Sequence, residues 1–355
     1  MFKLPLTNAE IDSCRPVLED LYASVHSGDR VKRVDIAIVT YADRLPRPWP
    51  LGFSAALNHM PLILLGYGTP SKASAWQGPV GYNAPKVAAW FGLRRVVQLA
   101  RAAQDSLGPA ALRYLFFADG FDTLIVNAPQ HFYTTAAASR LKRLASTVAP
   151  GGGVLSGECN CWPRCLKAAY LENTSAYAQC VQRSPSCFLN AGLAMGNSEG
   201  WEALLAALLP RLTPSEEEQL TLHKLYLEGK IAGWEIDEES EILLSTLECV
   251  NPGRGKRPPK WSRCTTRPFA PLGRVSPAPH GGTNFLAESG VVQRPLVAHL
   301  QGSPTHSKAA RFARFNHTFV AGWFAAAEQQ PLLLVDSHAH GPCKATTLGA
   351  LHAAL

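Results

Sequence analysis

No run of about 18 or more apolar residues occurs in the chain, so no segment of it reads as a membrane-spanning helix. The first residues, MFKLPLTNAEIDSCRPVLEDL, lack the unbroken apolar stretch of a secretion signal because acids interrupt them, and no signal peptide is expected in the chain as written. No internal repeat is visible in the sequence. Acidic residues are missing from residues 251–280, a stretch with seven Lys/Arg and seven Pro. The whole chain holds 34 basic and 27 acidic residues, a net charge of +7, so everything outside that stretch sums to zero. The stretch reads as a solvated basic insertion at about 251–285. It also lacks the regularly spaced aromatics that stack on bases, so no nucleic-acid partner is expected.

What is present is ordinary in bulk: 355 residues, 46% apolar and 17% charged, which suits a globular protein of one to three domains. Cysteine is the exception. There are nine, and five of them (Cys159, Cys161, Cys165, Cys180, Cys187) fall within 29 residues. An odd total leaves at least one thiol without an intrachain partner. The sequons Asn173-Thr174-Ser175 and Asn316-His317-Thr318 carry glycans only in a secreted chain. Cysteines and sequons point to the secretory lumen, the N-terminus to the cytoplasm, and the compartment stays open.

Residues 1–30 read as a peripheral helical extension. Apolar β-rich runs follow at Val34–Thr40, Pro61–Gly66 and Leu112–Phe117. Lys86–Ala103 has apolar residues at helical spacing. Helices are expected at Gln130–Thr147, Ser198–Leu212, Glu216–Glu228 and about Ser307–Ala327, and strands at Val154–Ser156 and Leu296–Leu300. Strands alternating with helices predict an α/β domain over 31–328, built on a mostly parallel sheet, with 329–355 as a loose tail. In such sheets ligands bind beyond the carboxyl ends of the strands. The polar residues there are Thr40, Gly66-Tyr67-Gly68, Asp119-Gly120-Phe121-Asp122, Glu158 and His299-Leu300-Gln301-Gly302.

Asp119 and Asp122 end an apolar strand and flank a glycine. Two carboxylates brought so close repel unless a cation compensates them. Hard oxygen donors suit Mg²⁺ or Mn²⁺, which complete their shell with phosphate oxygens. An ordinary Asx turn accounts for the Asp-x-x-Asp pattern equally well. His299 ends a later strand, with Gly302 and Lys308 beyond it. A glycine admits close approach to phosphate and a lysine reaches its oxygens, which tips the balance toward a metal and phosphate site.

Six segments resemble, in order, the glycosyltransferase domain of the procollagen lysyl hydroxylase/glucosyltransferase family. They are Phe116–Asp122, Ser156–Pro163, Phe188–Gly192 with Gly196, Glu216–Leu220 with Lys224–Leu227, Ile236-Asp237 with Glu241-Ile242, and His299–Gly302. The resemblance runs from about Val34 to Lys308. It implies a GT-A-like fold, a UDP-sugar donor and Mn²⁺ (or Mg²⁺) held by Asp119, Asp122 and His299. It places Thr40, Lys86, Gly302 and Lys308 at the donor, and Glu158, Trp162 and Asn190 on the acceptor side. Glu217 and Glu218 stand where the family has catalytic-side aspartates. Ala118 replaces a threonine, Gly157 an alanine, and Lys308 comes two residues late. The 47 residues after Lys308 are not expected to form the family's iron-dependent hydroxylase domain.

The expected activity is transfer of a hexose, glucose or galactose, from a UDP-sugar to the hydroxyl of a protein or glycan acceptor, with hydroxylysine or glycosylated hydroxylysine as the implied acceptor. Some of these residues have plainer readings as well. Trp162 suits sugar stacking or a core cap. Glu216–Glu218 also suit a helix N-terminus. Cys161 reads as structural. Asp336-Ser337-His338-Ala339-His340 looks like a barrel metal motif but comes too close to the end to begin a barrel. Two rival readings stand beside the transferase: an inactive sugar-binding or interaction module of the same fold, and a metal-dependent hydrolase, which would want more clustered ligands.

Overall fold

The computed structural model describes residues 5–25, 36–42, 49–67, 83–108, 112–120, 122–127, 151–158, 186–212, 218–245, 274–277, 283–286, 292–299, 328–329, 331–337 and 341–353. They form an α/β fold around an open mixed sheet. In chain order the larger elements begin with α1 (Asn8–Val25), β1 (Ile36–Tyr41), α2 (Pro50–Leu57), β2 (Leu62–Leu65), α3 (Asn83–Leu107), β3 (Tyr114–Asp119), β4 (Thr123–Ile125), β5 (Gly153–Glu158) and β6 (Phe188–Asn197). There follow α4 (Ser198–Leu208), α5 (Glu218–Leu227), β7 (Trp234–Asp237), β8 (Leu243–Ser245), β9 (Arg274–Pro277), β10 (Thr283–Leu286), β11 (Val292–Gln293), β12 (Val297–His299), β13 (Pro331–Ser337), β14 (Gly341–Thr347) and α6 (Leu348–Ala353).

The main sheet has eight strands in the order β14-β13-β2-β1-β3-β6-β5-β7. Strands β13, β2, β1 and β3 run parallel. β6 is antiparallel to both β3 and β5, and β14 to β13. The sheet is therefore mostly parallel, as expected, with two exceptions: β13, β2, β1, β3, β5 and β7 share one direction, and β14 and β6 run against it. Alternate residues of each central strand enter different cores, as a period of two requires. Ala37, Val39, Leu115 and Phe117 join α1, α3, α4 and α5 on one face. Ile36, Ile38, Tyr114 and Phe116 join α2, β8, β12 and α6 on the other.

The expected loose tail over 329–355 is corrected. Leu332, Leu333, Leu334 and Val335 are fully buried, and β13 pairs with β2 inside the main sheet. Such an apolar run is stable only with both faces covered, and the helices supply that cover. The N-terminal helix is present, but it is not peripheral. Thr7 and Glu10 cap it reciprocally, each side chain bonding the other's backbone N–H. Cys14, Leu18, Leu21 and Tyr22 are buried in the core, and Arg95 of α3 holds Glu10 at 3.0 Å.

Cys14 is disulfide-bonded to Cys343 of β14 across 329 residues of chain. Cys187 is disulfide-bonded as well, to a cysteine outside the described residues. The basic segment at 251–285 contributes β9 and β10, which with β11 form a small antiparallel sheet. The helices expected at Gln130–Thr147 and Ser307–Ala327 lie outside the described residues. Among those described, no helix is long and apolar enough to cross a membrane.

A crosslink that closes so long a loop constrains the unfolded chain. Cys14→Ser is expected to lower the unfolding free energy in urea by about 2–5 kcal/mol. An unchanged transition would show that the clasp contributes nothing.

Candidate metal centre

β3 is buried along its length and brings Asp119 out at its carboxyl end, level with Tyr41 of β1. Gly120 then turns the chain tightly against β1. A Cβ at this position would lie 2.7 Å from the Tyr41 carbonyl and 3.0 Å from Thr40 Oγ1, so only glycine fits without a shift. Asp122 follows, and β4 leads away from it. β4 pairs antiparallel with β12, which sets His299 opposite Thr123. Two short strands thereby bring together residues 177 positions apart.

β12 is held on its other side by β8. The turn into β8 is organised by Asp237, whose fully buried carboxylate accepts from the backbone N–H groups of Glu241, Ile242 and Leu243 at 2.7–3.0 Å. The Ile236-Asp237 and Glu241-Ile242 segments thus act through structure, by setting the strand that backs His299.

His299 Nε2 lies 3.1 Å from Asp122 Oδ1 and 3.5 Å from Asp119 Oδ2. One ligand atom from each of the three residues lies within 4.8 Å of the others. The imidazole is buried, while the two carboxylates are partly open to solvent. Burial pushes the imidazole pKa down, but the adjacent carboxylates of Asp122 and Asp119 outweigh it and hold it at about 9. The three side chains form a group that could hold a metal ion. Two carboxylate oxygens and one imidazole nitrogen are a donor set that suits Mn²⁺ or Mg²⁺, with positions left for other ligands.

The site lies where the sheet changes direction, between parallel β3 and antiparallel β6. The ladder pairs Ala118 with Leu193, which sets Asp119 beside Gly192. Gly192 makes room for the histidine: a Cβ there would lie 2.3 Å from His299 Cε1. The sequence reading took the stretch Phe188–Gly192 only as a motif. Its missed signal is a glycine inside a ten-residue buried strand, the usual mark of close approach.

The remaining expected site residues fall into three groups. Thr40, Glu158, Asn190 and Glu218 are buried at the same sheet edge or the helix beside it. Thr40 Oγ1 donates to the Ala118 carbonyl at 2.8 Å, tying β1 to β3 just before Asp119. Asn190 Oδ1 accepts from the Gly192 N–H at 2.8 Å. Glu158 ends β5 and accepts from Gln219 Nε2 at 2.7 Å, while Gln219 Oε1 accepts from the Ala191 N–H at 3.1 Å. Gln219, which sequence reasoning gave no role, thus joins β5, β6 and α5 beside the metal residues. Glu218 is the first residue of α5. Lys86 sits in the first turn of α3. Trp162, Glu217, Gly302 and Lys308 lie outside the described residues.

No family model matches the sequence, and no curated protein matches it.

Two outcomes follow from this geometry. With its folded pKa raised from 6.5 to about 9, protonated His299 contributes stability that is fully present below pH 6.5 and is lost as pH rises through 9. The melting temperature of EDTA-treated protein should therefore fall across that window, and Asp122→Asn should flatten the fall. A profile identical in wild type and variant would contradict the arrangement. Gly192→Ala should displace the imidazole and weaken Mn²⁺ binding by about 10- to 100-fold in calorimetric titration.

Proposed function

We propose that the chain is a metal-dependent glycosyltransferase of GT-A-like fold that moves a hexose from a UDP-sugar to a hydroxyl acceptor. One observation carries the reading. Asp119, Asp122 and His299, from distant parts of the chain, converge into one cluster at the carboxyl edge of the parallel strands, within 4.8 Å of one another. That edge, at the point where the sheet changes direction, is where open α/β folds bind nucleotides. The six ordered segments of resemblance add the donor class, since they include all three cluster residues.

Asp119, Asp122 and His299 would hold Mn²⁺ or Mg²⁺, which when bound neutralises charge on the leaving diphosphate. The chain's own groups do the rest. To serve as a ligand, His299 would have to give up its proton to solvent. Thr40 and Gly120 hold the ends of β1 and β3 together under the donor. Lys86, Gly302 and Lys308 are assigned to the donor side, the lysines as cations for phosphate oxygens. Glu158, with Trp162 and Asn190, is assigned to the acceptor. The carboxylate of Glu158 keeps its orientation through Gln219. Glu217 and Glu218 are the candidates for orienting the attacking hydroxyl or countering positive charge at the sugar ring. The disulfides at Cys14–Cys343 and Cys187 suit an oxidising, lumenal compartment.

The test is UDP release from a panel of UDP-sugars, with and without Mn²⁺. Turnover of one donor that needs Mn²⁺ and falls about 100-fold or more in Asp122→Asn is the expected result. UDP binding without turnover of any donor or acceptor would favour the non-catalytic sugar-binding module. Loss of both UDP and metal binding in the wild type would remove the reading.

A further inference from the structure

We infer that Trp49 and Ser54, neither of them a metal ligand, are positioning residues that clamp the Asp119–Asp122 turn from helix α2. The inference rests on the metal-site reading above and deepens it.

The turn has a mechanical problem. It must hold two carboxylates that repel one another and keep both facing an imidazole on another strand. A chain segment in that position relaxes outward unless its backbone is tied down. The described residues show ties on both sides of Asp122, one from Trp49 at the N-cap of α2 and one from Ser54 within the helix. Ahead of it, the indole N–H of Trp49 donates to the Gly120 carbonyl, inside the turn itself. Beyond it, Ser54 Oγ accepts from the Ile125 N–H at 3.0 Å, at the end of β4. The serine hydroxyl in turn donates to the Leu51 carbonyl at 3.1 Å, so its direction is set by its own helix.

The clamp is rigid because α2 is embedded. Trp49 is fully buried and Ser54 nearly so. Pro50 opens the helix. Gly52 lets the indole fold back, since a Cβ there would lie 2.3 Å from the ring. Residues Leu51–Ala56 are all buried, and the helix sequence, PLGFSAAL, carries no charge. None of its side chains carries a charge that could act on the acids directly. Two of its polar groups nevertheless reach the backbone on either side of Asp122. Their effect is to fix where the carboxylate stands relative to His299. Outer contacts of this kind commonly set metal affinity as strongly as a ligand's own chemistry.

The experiment uses full-length protein and Mn²⁺ alone, followed by calorimetry and electron paramagnetic resonance, with the melting temperature of the metal-free protein measured in parallel. Ser54→Ala removes one hydroxyl from a helix and keeps the fold. Trp49→Phe removes the indole N–H and some volume. Each is expected to weaken Mn²⁺ binding by about 10- to 100-fold and to broaden the spectrum of the bound ion, with all three ligands still present. A lower melting temperature with unchanged affinity and spectrum in Ser54→Ala would mean a purely structural role and overturn the inference. Asp122→Asn is the control. Wild-type binding that Asp122→Asn loses and Ser54→Ala retains defeats the clamp alone, whereas absence of wild-type binding defeats the metal site and the clamp together.

Discussion

The repulsion between the carboxylates of Asp119 and Asp122 is the constraint around which this molecule is arranged. Two like charges at the end of a buried strand persist only if a positive group faces them and the backbone beneath them cannot move away. His299 supplies the first condition from its place on β12, 3.1 and 3.5 Å from the two acids. The backbone ties at Ala118, Gly120 and Ile125, made by Thr40, Trp49 and Ser54, supply the second. Without a cation the imidazole keeps its proton. The same three side chains could hold a metal ion.

The rest of the fold keeps those elements in register. Parallel β13, β2, β1 and β3 form a rigid centre. The reversal at β6 opens the edge where Asp119 meets Gly192. Asp237 sets the turn that delivers β8, and β8 supports the strand carrying His299. On the far side, α1 and β14 are joined by the Cys14–Cys343 disulfide, which makes the two ends of the chain one layer of the structure. A polar line from Glu158 through Gln219 then ties the end of β5 to the backbone of β6 at Ala191, next to Gly192.

Some of this was legible in the residues alone. The apolar runs ending in Thr40 and Asp119 announced β1 and β3 because a strand buried on both faces commonly reads as a near-continuous apolar run. The same logic was available at Leu332–Val335. It was passed over there because position near the end of the chain suggested a tail, whereas burial depends on pairing with β2 and not on place in the sequence. β6 was missed for a different reason. Its glycines, asparagine and alanines have low strand propensity, and tertiary cover on both faces overrode that preference. α2 escaped notice because it is short, uncharged and apolar all round, with no amphipathic period to read.

The sequence by itself determined the α/β class, the donor types of Asp119, Asp122 and His299, and the strand ends near which they sit. These are local properties: residue type, hydrophobic period and spacing along a few positions. Tertiary structure alone decided that His299 faces Asp122 across 177 residues, that Gly192 clears the space for its ring, and that α2 holds the turn between them. Those relations depend on which strands pair, through β4 with β12 and β3 with β6. Pairing is settled by burial summed over the whole sheet and by no single segment.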